Sequence, residues 1–189
     1  MFNNLFKTAI SLIFKPANTW NELGKKQSDD HEKFLLGFVY PIIGLVTLSA
    51  FLGILLTRKV FDLQIALKES LVALFSVFGG FFLASWLINE VLRVVFHREP
   101  NYKLCQRFTG YSSSLLYCLN IVLSLIPEFF FLRLFVLYTI YMVWEGAVPY
   151  IDIKESEQLK FVSITTLIII ATPWIIEFIL GWLMPGLRL

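Results

Sequence analysis

Ionisable side chains inside long apolar runs are the residues of this chain that could do chemistry. Five of them stand in such runs: Glu90, Arg93, Arg133, Glu145 and Glu177. An ionised group is costly in the hydrocarbon core of a bilayer, so a residue of this kind marks a binding site, a proton path or an ion pair. Carboxylates and guanidinium groups at one depth can bind a charged ligand or pair with each other, and the sequence leaves both alternatives open.

The sequence contains no motif for catalysis or metal binding. Both histidines, His31 and His97, stand in polar flanking segments, which predicts that no histidine metal site or proton relay forms within the membrane. A glycine-rich phosphate loop, an HExxH pair and a nucleophile elbow are all missing. We therefore predict a protein that is not an enzyme and that uses no cofactor and no metal.

The apolar runs themselves determine the predicted fold. Hydrophobic residues make up 57% of the chain and charged residues 16%, against about 45–50% and about 25% in an average soluble domain. The excess lies in runs near or above the length of about 18 residues that crosses a bilayer. We predict an all-α membrane protein with five transmembrane helices, at residues 34–56, 71–91, 108–126, 129–148 and 161–184. A four-span alternative makes the short third run re-entrant.

The first 33 residues form a different kind of segment. Apolar residues recur at helical spacing between residues 2 and 15: Phe2, Leu5, Phe6, Ala9, Ile10, Ile13 and Phe14. The other face carries Asn3, Asn4, Lys7, Thr8, Ser11 and Lys15. This pattern predicts an amphipathic helix that lies on the membrane surface, with packing against the bundle as the alternative. We expect residues 1–33 to be a cytoplasmic segment and residues 34–189 to be the transmembrane domain.

The lysines and arginines predict the orientation of the chain. With the N-terminus inside, eleven of the 16 fall on the cytoplasmic side: Lys7, Lys15, Lys25, Lys26, Lys33, Arg93, Arg98, Lys103, Arg107, Lys154 and Lys160. Five fall outside: Arg58, Lys59, Lys68, Arg133 and Arg188. Positive residues concentrate on the cytoplasmic side of membrane proteins. The bias predicts a cytoplasmic N-terminus and an external C-terminus.

This orientation sorts the polar residues of the spans into two groups. The first polar cluster is predicted at the cytoplasmic side and consists of Asn89, Glu90, Arg93, Arg107, Tyr111, Trp144 and Glu145. Within it, Glu90 and Arg93 are three residues apart and can meet on one helix face. The second polar pair, Arg133 and Glu177, is predicted at similar depth near the outer side as a structural ion pair.

Glu145 is the most ambiguous residue of the first polar cluster. It ends a long apolar run and has basic residues at its predicted depth. We expect it to lie within about 4 Å of Arg93 or Arg107, as one half of an ion pair that fixes helix packing. The alternative is a carboxylate that binds a ligand or a lipid head group.

Several short motifs are similar to those of a known family. They are "FKPANTW" after the amphipathic start, "GYSSSLLYCLNIVLSLIP" in the third span, and "YMVWEGAVPYIDIKESEQLKF" between the last two spans. Together with five spans and a tight connection between the third and fourth, they resemble a bacterial member of the Yip1 domain family. Eukaryotic relatives carry a long cytosolic N-terminal region and a motif of Asp-Leu-Tyr-Gly-Pro character, which this sequence lacks. Their role in vesicle trafficking and Rab binding is therefore not transferred to this chain.

The functional expectation combines these observations. We expect a non-enzymatic, multi-pass inner-membrane protein that organises protein partners or lipids. The alternative is a small transporter or lipid-moving protein that uses the first polar cluster. The expected partners are the lipid bilayer and a membrane protein, a cytoplasmic protein or a second copy of the chain. A net charge of +2 with no basic stripe predicts no binding to nucleic acid.

Overall fold

The computed structural model describes residues 2–25, 31–57 and 62–183, with the backbone alone for residues 2–4. Throughout these ranges the regular secondary structure is helical. The α-helices are α1 (Phe2–Phe14), α2 (Pro16–Lys25), α3 (His31–Phe34), α4 (Tyr40–Thr57), α5 (Leu63–Val94), α6 (Tyr102–Ser112), α7 (Ser114–Leu125), α8 (Tyr138–Ile151) and α9 (Glu155–Leu183). A π-helical segment, Leu35–Val39, joins α3 to α4, and a 3₁₀ helix, Pro127–Leu137, precedes α8.

Some residues used above fall outside the described part of the chain. They are Lys26, Arg58, Lys59 and Arg188 of the orientation argument, Met184 at the end of the fifth predicted span, and the side chains of Phe2, Asn3 and Asn4.

The described residues contain four helical stretches that are long and apolar enough to cross a membrane. They are His31–Thr57, Leu63–Val94, Pro127–Ile151 and Glu155–Leu183. The pair of α6 and α7 satisfies the same criteria together but is bent by 43°, so it is either one broken span or a re-entrant segment. The predicted all-α membrane fold with a short N-terminal helix is confirmed, with four or five possible spans.

Serine side chains that bond to the backbone account for the bend between α6 and α7. Ser113 joins the two helices with φ −84° and ψ 0°, and it stands between two further buried serines. The hydroxyl of Ser114 donates to the carbonyl of Tyr111 at 2.7 Å. Serine side chains that bond to the nearby backbone compete with the regular helical pattern, which favours a break at this position.

Helix starts in the chain follow ordinary capping chemistry. Asp62 caps α5, and its carboxylate accepts from the backbone N–H groups of Gln64 at 2.8 Å and Ile65 at 3.2 Å. Asn101 caps α6 by accepting from the N–H of Leu104 at 3.1 Å. These side chains satisfy donors that the first helical turn leaves without partners. They fix where α5 and α6 begin, and therefore the depth of the polar residues that these helices carry.

Two glycines allow helices of the bundle to approach each other closely. A Cβ atom at Gly53 of α4 would lie 2.0 Å from the carbonyl oxygen of Ser124 in α7. A Cβ atom at Gly80 of α5 would lie 2.8 Å from Cγ of Pro173 in α9, and the hydroxyl of Thr172 also donates to the Gly80 carbonyl at 3.3 Å. Small residues at helix contacts let the backbones pack closely inside a membrane.

The N-terminal helices pack on the bundle. Leu5, Ala9 and Leu12 form the buried face of α1. This face therefore packs against the bundle, which was the alternative to a position on the membrane surface. The opposite side of α1 leaves Phe6 48%, Ile10 52% and Phe14 78% exposed. The helix therefore has two apolar faces, one used by the fold and one facing outward. We call Phe6, Ile10 and Phe14 the outer stripe of α1.

The C-terminus of α8 is closed by an arginine from the loop after α5. Asp152 ends the helix in a left-handed conformation, φ 61°. The guanidinium of Arg98 donates to the carbonyl of Ile151 at 3.0 Å and also to the carbonyl of Asp152. The last carbonyls of a helix lack intrahelical donors, and a cation near them is favoured by the helix dipole.

Removing this cap gives a measurable stability loss. We expect Arg98→Met to lower the free energy of unfolding by about 1–3 kcal/mol, because it leaves the carbonyl of buried Ile151 without its donor. Arg93→Met is the matched control, since Arg93 belongs to an exposed i,i+3 pair, and such pairs are worth about 0.2–0.5 kcal/mol. Denaturation of the purified protein in detergent measures both. Equal losses in the two variants would contradict the capping role.

Candidate functional site

The polar residues near the end of α8 surround a buried tryptophan. Trp20 of α2 is fully buried, and its indole N–H donates to the carbonyl of Met142 at 2.9 Å. Its ring centroid lies 5.2 Å from that of Phe108 and 5.1 Å from that of Tyr150. A buried indole needs an acceptor for its N–H group, and the α8 carbonyl supplies it. The N-terminal segment is thus inserted between α6 and α8.

Glycines on α2 and α8 make room for this insertion. A Cβ atom at Gly146 would lie 2.6 Å from the indole of Trp20. A Cβ atom at Gly24 would lie 2.6 Å from the carbonyl oxygen of Pro149. Any side chain at Gly146 would push against Trp20 and Phe108, both fully buried. The contact between α2 and α8 therefore depends on having no side chain at these two positions.

Two residues of the first polar cluster belong to this packed region. Tyr111 contacts the ring of Trp20 at 6.1 Å and that of Phe34 at 4.9 Å. Arg107 forms a side-chain hydrogen bond with Tyr150. Both residues sit among aromatic side chains, so their observed contacts bind helices α2, α6 and α8 together.

The α5 members of the cluster lie at two different places. Asn89 is buried, and its side-chain oxygen is 3.8 Å from the Sγ atom of Cys105 on α6. Glu90 and Arg93 form an ion pair on the surface of α5. The structure thus confirms the contact predicted from their spacing of three residues.

Glu145 lies on another side of the bundle. Its carboxylate lies close to the hydroxyl group of Tyr141, one turn earlier on α8. It lines a mainly apolar groove with Tyr138, Tyr141 and Trp144. Among the described residues no ion pair includes Glu145, so the expected partnership with Arg93 or Arg107 is replaced by a tyrosine contact.

The geometry of α8 explains this difference. Tyr150, which contacts Arg107, follows Glu145 by five residues, which corresponds to about 140° around an α-helix. Depth alone suggested that Glu145 and Arg107 could meet, but Arg107 of α6 contacts the face of α8 that carries Tyr150, and Glu145 lies on a different face. The first polar cluster is therefore divided into a surface pair, a buried aromatic region and an outward-facing carboxylate.

Neutralising Glu145 tests this arrangement. We expect Glu145→Gln to change the free energy of unfolding in detergent by no more than about 0.5 kcal/mol, because the substitution leaves no cation without its partner. The melting temperature should therefore change little. Glu90→Gln, which breaks the observed pair with Arg93, is the comparison. A loss of about 3–5 kcal/mol for Glu145→Gln, the cost of leaving a buried charge unpaired, would restore the ion-pair interpretation.

The second polar pair lies in a separate cavity. Arg133, from the 3₁₀ helix, and Glu177, from α9, line the same cavity of about 620 Å³. This common location agrees with the similar depth expected from the sequence. Ser76, Asn120 and Ser124 add polar groups to the lining, and Trp174 and Phe178 form apolar walls. In the described part of the chain, neither Arg133 nor Glu177 belongs to an ion pair, so the structure does not contain the ion pair predicted for them from the sequence.

Some of these residues were not predicted as parts of a site. Trp20 and Tyr150 were missed although they organise the region around α8. Gly24 and Gly146 were the sequence features that could have indicated this contact, because the absence of a side chain at each position leaves room for it. Asn120, in the cavity of the second polar pair, was missed because one amide in an apolar run has no distinguishing spacing.

Long apolar helices, glycine-mediated contacts and charged residues between helices define an α-helical integral membrane protein of the multi-pass class. The chain belongs to the Yip1 domain family, whose model matches residues 10–184. That match begins inside α1, so it includes the last turn of α1 and the whole of α2. No curated protein and no solved structure matches the chain.

Proposed function

We propose that this protein is a non-enzymatic organiser of protein partners or lipids in the inner membrane, with its N-terminus in the cytoplasm. The outer stripe of α1 is the observation that carries the proposal. Its three large apolar side chains face outward, and Lys7 beside them is also exposed. An apolar face next to basic residues is suited to an anionic membrane surface or to a partner bound there.

The buried face of α1 supports the same role. Leu5, Ala9 and Leu12 attach the helix to the bundle, and the hydroxyl of Tyr138 donates to the carbonyl of Ile13 at 2.9 Å. The outer stripe is thereby presented on a fixed helix. A preorganised surface binds with a smaller loss of conformational entropy than a segment that folds on contact.

The division of the first polar cluster weakens the transporter alternative. That alternative needs Glu90 and Glu145 to face one water-filled path. Glu90 instead pairs with Arg93 on α5, and Glu145 faces the groove of residues 134–145. Trp20, Phe108 and Phe161 belong to one cluster of buried, packed side chains in the bundle.

Site-specific photo-crosslinking in intact cells tests the proposal. A benzophenone amino acid at Ile10 should give crosslinks to lipid, to another protein or to a second copy of the chain. The same probe at Asn21, an exposed polar position of α2, is the control and should give few such products. If the probe at Ile10 reacts only within its own chain, the outer stripe serves packing and the organising role loses its support.

A further inference from the structure

The second polar pair consists of two opposite charges that line one cavity and are free to bind a ligand. Arg133 and Glu177 both line the space of about 620 Å³, and both side chains are exposed. Within the described ranges neither is held in an ion pair. The two charges lie on neighbouring spans and do not pair with each other. A ligand that carries one positive and one negative group could pair with both.

The polar groups of the cavity fit such a ligand. Arginine binds phosphate or carboxylate through two parallel N–H donors. The carboxylate of Glu177 accepts hydrogen bonds from an ammonium group. Asn120 and Ser124 are four residues apart on α7 and therefore lie on one helix face, where they add a neutral hydrogen-bonding surface.

The size and walls of the cavity indicate where the ligand comes from. A volume of about 620 Å³ lies within the range of roughly 300–1,000 Å³ usual for small-molecule sites. Trp174 and Phe178 line it and are 64% and 70% exposed, respectively. Both belong to a candidate membrane span, α9, so an occupant can keep apolar chains against these rings while its head group reaches the charges.

We propose that the cavity between the 3₁₀ helix and α9 binds a zwitterionic phosphoamine, most simply the ethanolamine phosphate head group of a phospholipid, with Arg133 on the phosphate and Glu177 on the ammonium. This inference rests on the lipid-organising part of the proposed function and names its ligand class. It concerns residues other than those of α1, so the two proposals can fail separately.

The chemistry predicts an order among head groups. Phosphatidylethanolamine offers an anion and an ammonium with N–H donors. Phosphatidylcholine offers both charges but no N–H group to the carboxylate of Glu177. Phosphatidylglycerol offers the anion and hydroxyl donors but no cation for the carboxylate of Glu177. We expect the ethanolamine lipid to bind more tightly than the other two, because it alone offers Glu177 a charged N–H donor, and hydrogen bonds of this kind are the stronger class.

The experiment measures the thermal unfolding of the full chain in detergent while short-chain forms of the three lipids are added. A ligand that binds only the folded state raises the midpoint in proportion to the logarithm of its concentration over its dissociation constant. Arg133→Gln and Glu177→Gln should each weaken the apparent affinity for the ethanolamine lipid by about tenfold or more. Arg93→Gln, which changes an exposed charge elsewhere, should leave the affinity unchanged.

A second pair of variants tests the cavity without changing its charges. Gly181 lines the cavity, and a Cβ atom there would contact nothing within 4 Å. Gly181→Leu should therefore fill the space, keep the helix intact and abolish the stabilisation by lipid. Gly44→Leu is its matched control, because a Cβ atom at Gly44 also contacts nothing and this residue lies on α4.

The possible results separate the sources of the ligand. Free phosphoethanolamine that stabilises the protein with the same variant dependence would support the site and assign it to a soluble zwitterion. Equal effects of the three lipids, or charge variants that bind as the wild type does, would overturn the proposal. So would a double-mutant cycle in which Arg133 and Glu177 stabilise each other in lipid-free protein, because that result defines a structural ion pair.

Discussion

Replacing Trp20 by alanine is expected to lower the free energy of unfolding by about 3–5 kcal/mol, the usual cost of removing a large buried aromatic side chain. The residue is fully buried and touches the rings of Phe108 and Tyr150. Its loss leaves a cavity and also removes the donor to the Met142 carbonyl. Equilibrium unfolding of the purified protein in a fixed detergent measures the change.

Two further variants make this result specific. Trp20→Phe keeps much of the ring and should cost less, with about 1 kcal/mol of the loss attributable to the hydrogen bond. Trp182→Ala removes an indole that is 74% exposed, and it should cost no more than about 0.5 kcal/mol in detergent. Similar losses for Trp20→Ala and Trp182→Ala would show that the N-terminal segment does not pack as described.

The second large effect is expected at Gly53. A Cβ atom there would lie 2.0 Å from the backbone oxygen of Ser124, so α4 and α7 must move apart to accept Gly53→Ala. Overpacking of this kind costs about 1–3 kcal/mol or more. Backbone atoms cannot rotate away as a flexible side chain can. We therefore place Gly53→Ala at or above the upper end of that range.

Gly44→Ala is the matched control on the same helix. A Cβ atom at Gly44 meets nothing within 4 Å, so the substitution should add roughly 0.5–1 kcal/mol through the higher helix propensity of alanine. The two alanine variants should thus have effects of opposite sign in thermal unfolding. If Gly53→Ala is also stabilising, the close approach of α4 and α7 is wrong.

The part of the fold that sequence could predict is the part determined by local pattern. Run length identified the long apolar helices. Helical spacing predicted the α1 helix, although it did not distinguish the face buried by Leu5 and Leu12 from the outer stripe. The spacing of Glu90 and Arg93 predicted their ion pair because that contact lies within one helix.

Contacts between helices could not be predicted in the same way. Run boundaries give the depth of a residue but not the rotation of its helix about its own axis. Glu145 was therefore assigned to arginine partners at its depth, whereas the structure turns it towards Tyr141. Trp20 was not predicted as a buried residue because its neighbours in sequence are polar, and its burial depends on Phe108 and Gly146, which are distant in the chain.

The most direct test of the central claim is a flux measurement on the full chain in sealed proteoliposomes. An organiser of partners or lipids needs no path across the bundle. Release of trapped small ions and amino acids, and the movement of labelled phospholipid between leaflets, should therefore equal the rates of protein-free vesicles. Glu145→Gln should change none of these rates. Flux above the protein-free rate that Glu145→Gln abolishes, while the fold stays intact, would contradict the account and establish the transporter alternative.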